Sequence, residues 1–172
     1  MAMSTAVLTS AVEQFIKALA TKNFVGEVEV SDVARLVHSV DNSIYEIKPE
    51  AVIYPKHSQD IAILTQLLAP PEYKDVKVTP KGGGTGTNGQ SLNQGIILDL
   101  SRHMNQILNF DKDKRQVIVQ MGVVKDQLNA FLKPHGFFFA PELSTSNRAT
   151  IGGMINTDAS GQGSYTYGKT RH

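Results

Sequence analysis

Lys81-Gly82-Gly83-Gly84-Thr85-Gly86-Thr87-Asn88-Gly89 carries five glycines in nine residues, between the apolar runs Val76-Lys77-Val78 and Ile96-Ile97-Leu98-Asp99-Leu100. Without a Cβ, a backbone can take φ > 0 and approach a ligand closely. Successive N–H groups turned into one concavity make a nest for an anion, most often phosphate. A flexible Gly-rich connector has a similar composition, but the β-branched runs on both flanks hold this loop tightly. A second polar, Gly-rich stretch runs from Ala140 to Gly168 and contains Pro141-Glu142, Thr150-Ile151-Gly152-Gly153 and Ser160-Gly161-Gln162-Gly163. It is the candidate for the other wall of the same site.

Two literal motif matches lack the context their chemistry needs. Gly84-x-Gly86-x-x-Gly89 fits the dinucleotide fingerprint, which works only where the last glycine opens a helix facing the pyrophosphate. Only Gln90 to Gly95 separate it from the next strand, too few for a crossover helix. Gly163-x-x-x-x-Gly168-Lys169-Thr170 fits the phosphate-loop pattern, which needs a buried strand before it and a helix after it. Asp158-Ala159-Ser160-Gly161-Gln162 precedes it and Arg171-His172 follows. A nucleotide-binding protein using Gly163–Thr170 remains the alternative from a different class.

The elements that must position these loops follow from periodicity. Leu8, Val12, Phe15, Ile16 and Leu19 recur at helical spacing and predict an amphipathic helix ending near Asn23. A second short helix over about Ser31–Ser39 carries Val33, Leu36 and Val37. Ala51-Val52-Ile53-Tyr54, bracketed by Pro49 and Pro55, predicts a strand. Ser58 is the candidate N-cap of a helix with Ile61, Leu64, Leu67 and Leu68, ended by Pro70-Pro71. Val76–Thr79 is the next strand, so strand, helix and strand predict a βαβ unit with a parallel sheet. Beyond Asp99 the pattern predicts a hairpin of Gln106–Phe110 and Gln116–Gln120 around the charged turn 111–115. It further predicts a helix over Lys125–Leu132 stopped by Pro134, and a buried strand at Phe137-Phe138-Phe139.

Composition narrows the function. The 172 residues are 41% hydrophobic and 19% charged, ordinary for a globular protein. A net charge of +1 with dispersed Lys and Arg leaves no footprint for nucleic acid or an anionic membrane. No apolar run reaches the roughly 18 residues of a membrane span, and Met1-Ala2-Met3-Ser4-Thr5 lacks the features of a secretory signal. The absence of cysteine excludes disulfides, zinc–thiolate sites and iron–sulfur ligation within these residues. His38, His57, His103, His135 and His172 are scattered without ligand spacing, so no metal is expected. A cytoplasmic protein fits this composition.

Several of these stretches, in order, resemble one family. Pro80 to Gly89 resembles the pyrophosphate loop of the vanillyl-alcohol oxidase / p-cresol methylhydroxylase (PCMH) type of FAD-binding domain. Ile97-Leu98-Asp99-Leu100-Ser101-Arg102 resembles the strand after that loop, and Val119-Gln120-Met121-Gly122-Val123 the following strand with its glycine. Ala149 to Gly161 resembles the second flavin-contacting segment, closed by Tyr167-Gly168. Through Phe139–Arg148 and Asp158–Gly163 the chain is most similar to large bacterial FAD-linked D-2-hydroxyglutarate dehydrogenases, whose flavin part is followed by iron–sulfur domains. D-lactate dehydrogenases belong to the same group.

The resemblance implies an α+β fold of two subdomains with FAD lying between them. Residues 1–44 would be a helical lead and 45–172 the FAD-binding domain. Its first subdomain, about 45–105, would hold a small βαβ parallel sheet. The second, about 106–172, would hold a mixed or antiparallel sheet, truncated at the C-terminus. Carried over residue by residue, the cofactor contacts are Lys81, Gly82, Gly83, Gly84, Thr85, Gly86, Asn88 and Gly89 in the loop. In the second segment they are Pro141, Glu142, Ser144, Thr150, Gly152, Gly153, Asp158, Ser160, Gly161 and Gly168. Lys81 stands where the family usually has Arg, Asp158 where Asn is common, and Ser160 where Gly is common. Members that attach FAD covalently through this loop carry His or Cys at the position of Thr85, so the flavin here is expected to be non-covalent. The implied reaction oxidises a D-2-hydroxy acid to the 2-oxo acid, with hydride passing from the α-carbon to flavin N5. Substrate-gripping and proton-handling residues in this family come mostly from a cap domain after the FAD domain. No catalytic residue is therefore assigned, the electron acceptor is unknown, and this chain alone is expected to be inactive.

Overall fold

The computed structural model describes residues 8–172; the Met1–Thr5 segment lies outside them. The chain forms two compact units. One comprises the chain up to Lys81 with Gly86–Asp99, and the other Gly82–Thr85 with Leu100–His172.

The first unit is built on a four-stranded sheet in the order β1-β2-β4-β3, from β1 (Glu27–Glu29), β2 (Ala51–Tyr54), β3 (Val78–Lys81) and β4 (Ile96–Asp99). β4 runs parallel to both β2 and β3, with Ile97 opposite Val52 on one side and Thr79 on the other. β1 closes one edge antiparallel to β2. Every residue of β2 and β4 is buried, which is why Ala51–Tyr54 and Ile96–Leu98 read as unbroken apolar runs. The sequence predicts β2 and β3 as consecutive strands of a βαβ unit. They are parallel, but β4 inserts between them. Pro80 explains the order: it cannot donate to a ladder, so β3 takes an edge, and β4, apolar over Ile96–Leu98, takes the centre.

α1 (Ser10–Ala20) starts at Thr9, whose hydroxyl accepts from Val12 N at 3.4 Å, and buries Val12, Phe15 and Leu19. Phe15 meets Tyr73 edge to face at 5.5 Å between ring centres. α3 (Ser58–Leu68) is capped one residue earlier than the sequence suggests, at His57, with no side-chain cap bond. Asp60 in the first turn instead ties neighbouring backbone to the start of the helix. Its buried carboxylate accepts from Val25 N at 2.9 Å and Lys56 N at 2.8 Å. α2 (Asp32–Val37) forms where predicted, yet Val33, Leu36 and Val37 are 74%, 56% and 66% exposed. What holds α2 is polar: Arg35 Nε donates to Pro49 O at 2.7 Å.

The second unit holds the hairpin β5 (Ile107–Asp111) and β6 (Gln116–Val119), with α4 (Lys125–Leu132), α5 (Ile151–Asn156) and the single turn α6 (Ser164–Tyr167). Val123, Leu128, Leu132, Ala149, Ile151 and Met154 form its core. The charged turn closes as expected, with Lys114 N donating to Asp111 Oδ1 at 2.9 Å. Phe137–Phe139 is not a strand. Asn129 of α4 supplies both bonds that a ladder would have made, accepting from Phe139 N at 2.7 Å and donating to Phe139 O at 3.3 Å. Phe137 and Phe139 pack against the core while Phe138 stays 60% exposed. Among the described residues no helix is long and apolar enough to cross a membrane.

Candidate functional site

The glycine loop leaves β3 at Lys81, and Gly82–Thr85 belong to the second unit. Within that unit Gly82 and Gly83 lie against the second Gly-rich segment. A Cβ on Gly82 would strike the Thr150 side chain, and one on Gly83 would strike the Arg148 carbonyl group. The two stretches therefore meet through backbone, at a closeness only glycine permits. Gly84 and Gly89 have φ of 61° and 70°, the left-handed region that L side chains avoid.

The second segment is fixed by hydrogen bonds of its own backbone. Lys125 N donates to Ala149 O at 3.0 Å, Ile151 N to Val123 O at 2.8 Å and Gly152 N to Met121 O at 2.8 Å. Thr150 is buried, and its hydroxyl accepts from Gly153 N at 3.3 Å. Gly161 packs on the Glu142 backbone, which brings Pro141-Glu142 beside Ser160-Gly161. Ser144 and Ser160 are exposed. Gly168 turns with φ of 83° beside His172.

The other expected contacts have visible local partners. On the far side of the loop Gly86 faces the Gln90 side chain, whose Oε1 accepts from Asn88 N at 3.1 Å. Asp158 sits at φ of 46°, the reason Asn suits this position. Its carboxylate lies 3.2 Å from Arg171 Nε and 3.8 Å from Lys169 Nζ. Lys81 is only 6% exposed and donates from Nζ to Val40 O at 2.7 Å and His38 O at 3.1 Å. Burial pushes its pKa down, opposed by the carboxylates of Asp41 and Asp99.

Beside Lys81, sequence spacing gave no hint of a buried polar group. His38 Nε2 lies 3.1 Å from Tyr54 Oη and 3.7 Å from Asp99 Oδ2. Burial lowers the His38 pKa, with Asp99 pulling it up and Lys81 pushing it further down. These residues are up to 61 positions apart in the chain, from His38 to Asp99, so only the fold could bring them together.

The phosphate-loop alternative fails on this geometry. Ser164–Tyr167, the interior of the motif, is itself helical. The Thr170 hydroxyl is taken by Ala159 O at 2.7 Å, and Lys169 faces Asp158. No buried strand precedes it.

Two Gly-rich segments packed together through backbone, among strands and helices, define an α+β domain. Residues 49–172 match the FAD binding domain family, and the chain belongs to that family. The chain is 57% identical over 169 residues to a D-2-hydroxyglutarate dehydrogenase of Pseudomonas putida, covering 98% of this chain and 17% of that protein. Against a D-2-hydroxyglutarate dehydrogenase of Escherichia coli K12 it is 57% identical over 156 residues, covering 91% of this chain and 15% of that protein. A glycolate oxidase subunit of Bacillus subtilis is 33% identical over 161 residues, with 92% of this chain and 33% of that protein covered. The chain thus spans about a sixth of the length of the first two relatives. In fold it is similar to a solved alkyldihydroxyacetonephosphate synthase, with a TM-score of 0.76 at 22% identity, covering 91% of this chain and 31% of that one.

Proposed function

We propose that this chain is the FAD-holding part of a cytoplasmic flavin-dependent dehydrogenase that oxidises a D-2-hydroxy acid, with 2-hydroxyglutarate ahead of lactate. The observation that carries it is the approach of Gly82 and Gly83 to Arg148 and Thr150, which leaves no room for a Cβ. That packing fits a pyrophosphate: amides of Gly82–Thr85 are the groups that would hold it, beside the Thr150–Gly153 turn, whose Ile151, Gly152 and Gly153 amides are bonded within the protein. When bound, flavin supplies the hydride acceptor. The protein's own part is to bind and orient it, and Thr85 in place of His or Cys keeps the attachment non-covalent.

The 57% identity to D-2-hydroxyglutarate dehydrogenases supports that substrate over lactate. The test is turnover by the full-length native protein, not by this chain alone, with D-2-hydroxyglutarate and with D-lactate, using an artificial electron acceptor. A kcat/KM for D-2-hydroxyglutarate at least about tenfold above that for D-lactate is expected, about 1.4 kcal/mol of transition-state discrimination. Turnover of neither acid would refute the proposal.

A further inference from the structure

The segment from His38 to Tyr45 touches the glycine loop's surroundings at both flanks, all within the first unit. At the start of the loop, Lys81 Nζ spans the carbonyls of His38 and Val40 at 3.1 and 2.7 Å. These carbonyls follow the C-terminal end of α2, where a cation is favourably placed. At the far end, Asp41 Oδ2 accepts from Ser91 Oγ at 2.9 Å, and the Tyr45 ring stands 2.8 Å from where a Cβ of Gly89 would be. The segment is itself fixed. Asp41 Oδ1 accepts from Ser43 N at 2.8 Å, Ile47 N donates to Ser39 O at 2.8 Å, and His38 lies against Tyr54 of β2.

We propose that His38–Tyr45 is a brace that holds the glycine loop in its cofactor-binding shape from both flanks, with Lys81, Asp41 and Tyr45 as positioning residues. This rests on the flavin reading above. It assigns Lys81 a different task from gripping pyrophosphate: a buried ammonium already shared between two carbonyls fixes the end of β3 and sets where Gly82 begins. An anion-binding cation would be expected to leave its donors open to the ligand. In the same way the Asp41–Ser91 bond fixes where the loop ends. The burial that lowers the Lys81 pKa agrees with an interior, structural cation.

The test uses the native protein and reads two quantities: amide hydrogen exchange over residues 82–91 without added FAD, and the FAD dissociation constant. Lys81→Met and Ser91→Ala should each speed loop exchange and weaken FAD about tenfold, the effect of one lost hydrogen bond to a charged group. Lys81→Arg, which keeps a cation with several donors, should restore both. Unchanged loop exchange in both variants would overturn the brace. So would weaker FAD binding by Lys81→Met with unchanged exchange, which would mean that Lys81 meets the ligand itself. If Lys81→Met fails to fold, Ser91→Ala decides alone. Failure of the wild-type protein to bind FAD would sink the flavin reading, while faster loop exchange in Ser91→Ala would still support the brace.

Discussion

Gly83→Ala is the sharpest perturbation of the cradle. The new methyl would meet the Arg148 carbonyl carbon at 2.8 Å, with its oxygen nearer still. That obstacle is backbone, and it cannot rotate away as a side chain would. Forcing a methyl into a filled space costs about 1–3 kcal/mol, which lowers the melting midpoint by roughly 2–4 °C per kcal/mol for a chain of this length. The loop can relieve the clash only by withdrawing from Arg148, so FAD affinity should fall by more than about tenfold, or 1.4 kcal/mol. Gly136→Ala is the control. Its φ is 80° and nothing lies within 4 Å of the added Cβ, so it should cost about 1–2 kcal/mol of conformational strain and leave FAD binding unchanged. Differential scanning calorimetry and fluorimetric FAD titration read both effects. A Gly83→Ala protein that melts and binds FAD like the wild type would refute the packing, and equal FAD loss in Gly136→Ala would show that the effect is general destabilisation.

Burial holds the folded-state pKa of His38 below its ordinary value of about 6.5, so the folded protein binds fewer protons there than the unfolded one. Its contribution is complete above about pH 6.5 and declines as pH falls toward the lower folded value; urea midpoints measured across that window should fall for the wild type and flatten for His38→Gln, and equal slopes would contradict the assignment. Asp158→Asn should change stability by less than about 0.5 kcal/mol, because Asn tolerates a positive φ. Asp158→Val should cost about 1–3 kcal/mol at φ of 46°, and urea midpoints that rank the two variants the other way would rule out backbone conformation as the constraint.

Local chemistry made much of the fold legible. The 3.6-residue spacing of Val12, Phe15 and Leu19 gave α1, and the unbroken run Ile96–Leu98 gave a strand buried on both faces. The glycine loop was legible because its composition is itself the constraint, a backbone packed where no Cβ fits. Long-range choices were not. That β4 divides β2 from β3 depends on which strand can tolerate an edge, a property of the whole sheet. Phe137–Phe139 carried a strand's composition, but Asn129, eight residues upstream of Phe137, satisfied its backbone first. Lys81 had the charge expected of a phosphate ligand, yet its donors go to carbonyls 41 and 43 residues earlier in the chain. No spacing rule encodes such a contact.

The absorbance spectrum of the native protein, taken before and after acid precipitation, tests most directly that the two Gly-rich segments hold a non-covalent flavin. The account predicts a yellow protein with oxidised-flavin bands, all of whose colour passes to the supernatant, and whose apoprotein gains roughly 2.7 kcal/mol of stability at about a hundredfold excess of FAD over Kd. A colourless protein that FAD does not stabilise, or flavin fluorescence that stays with the denatured chain, would contradict it.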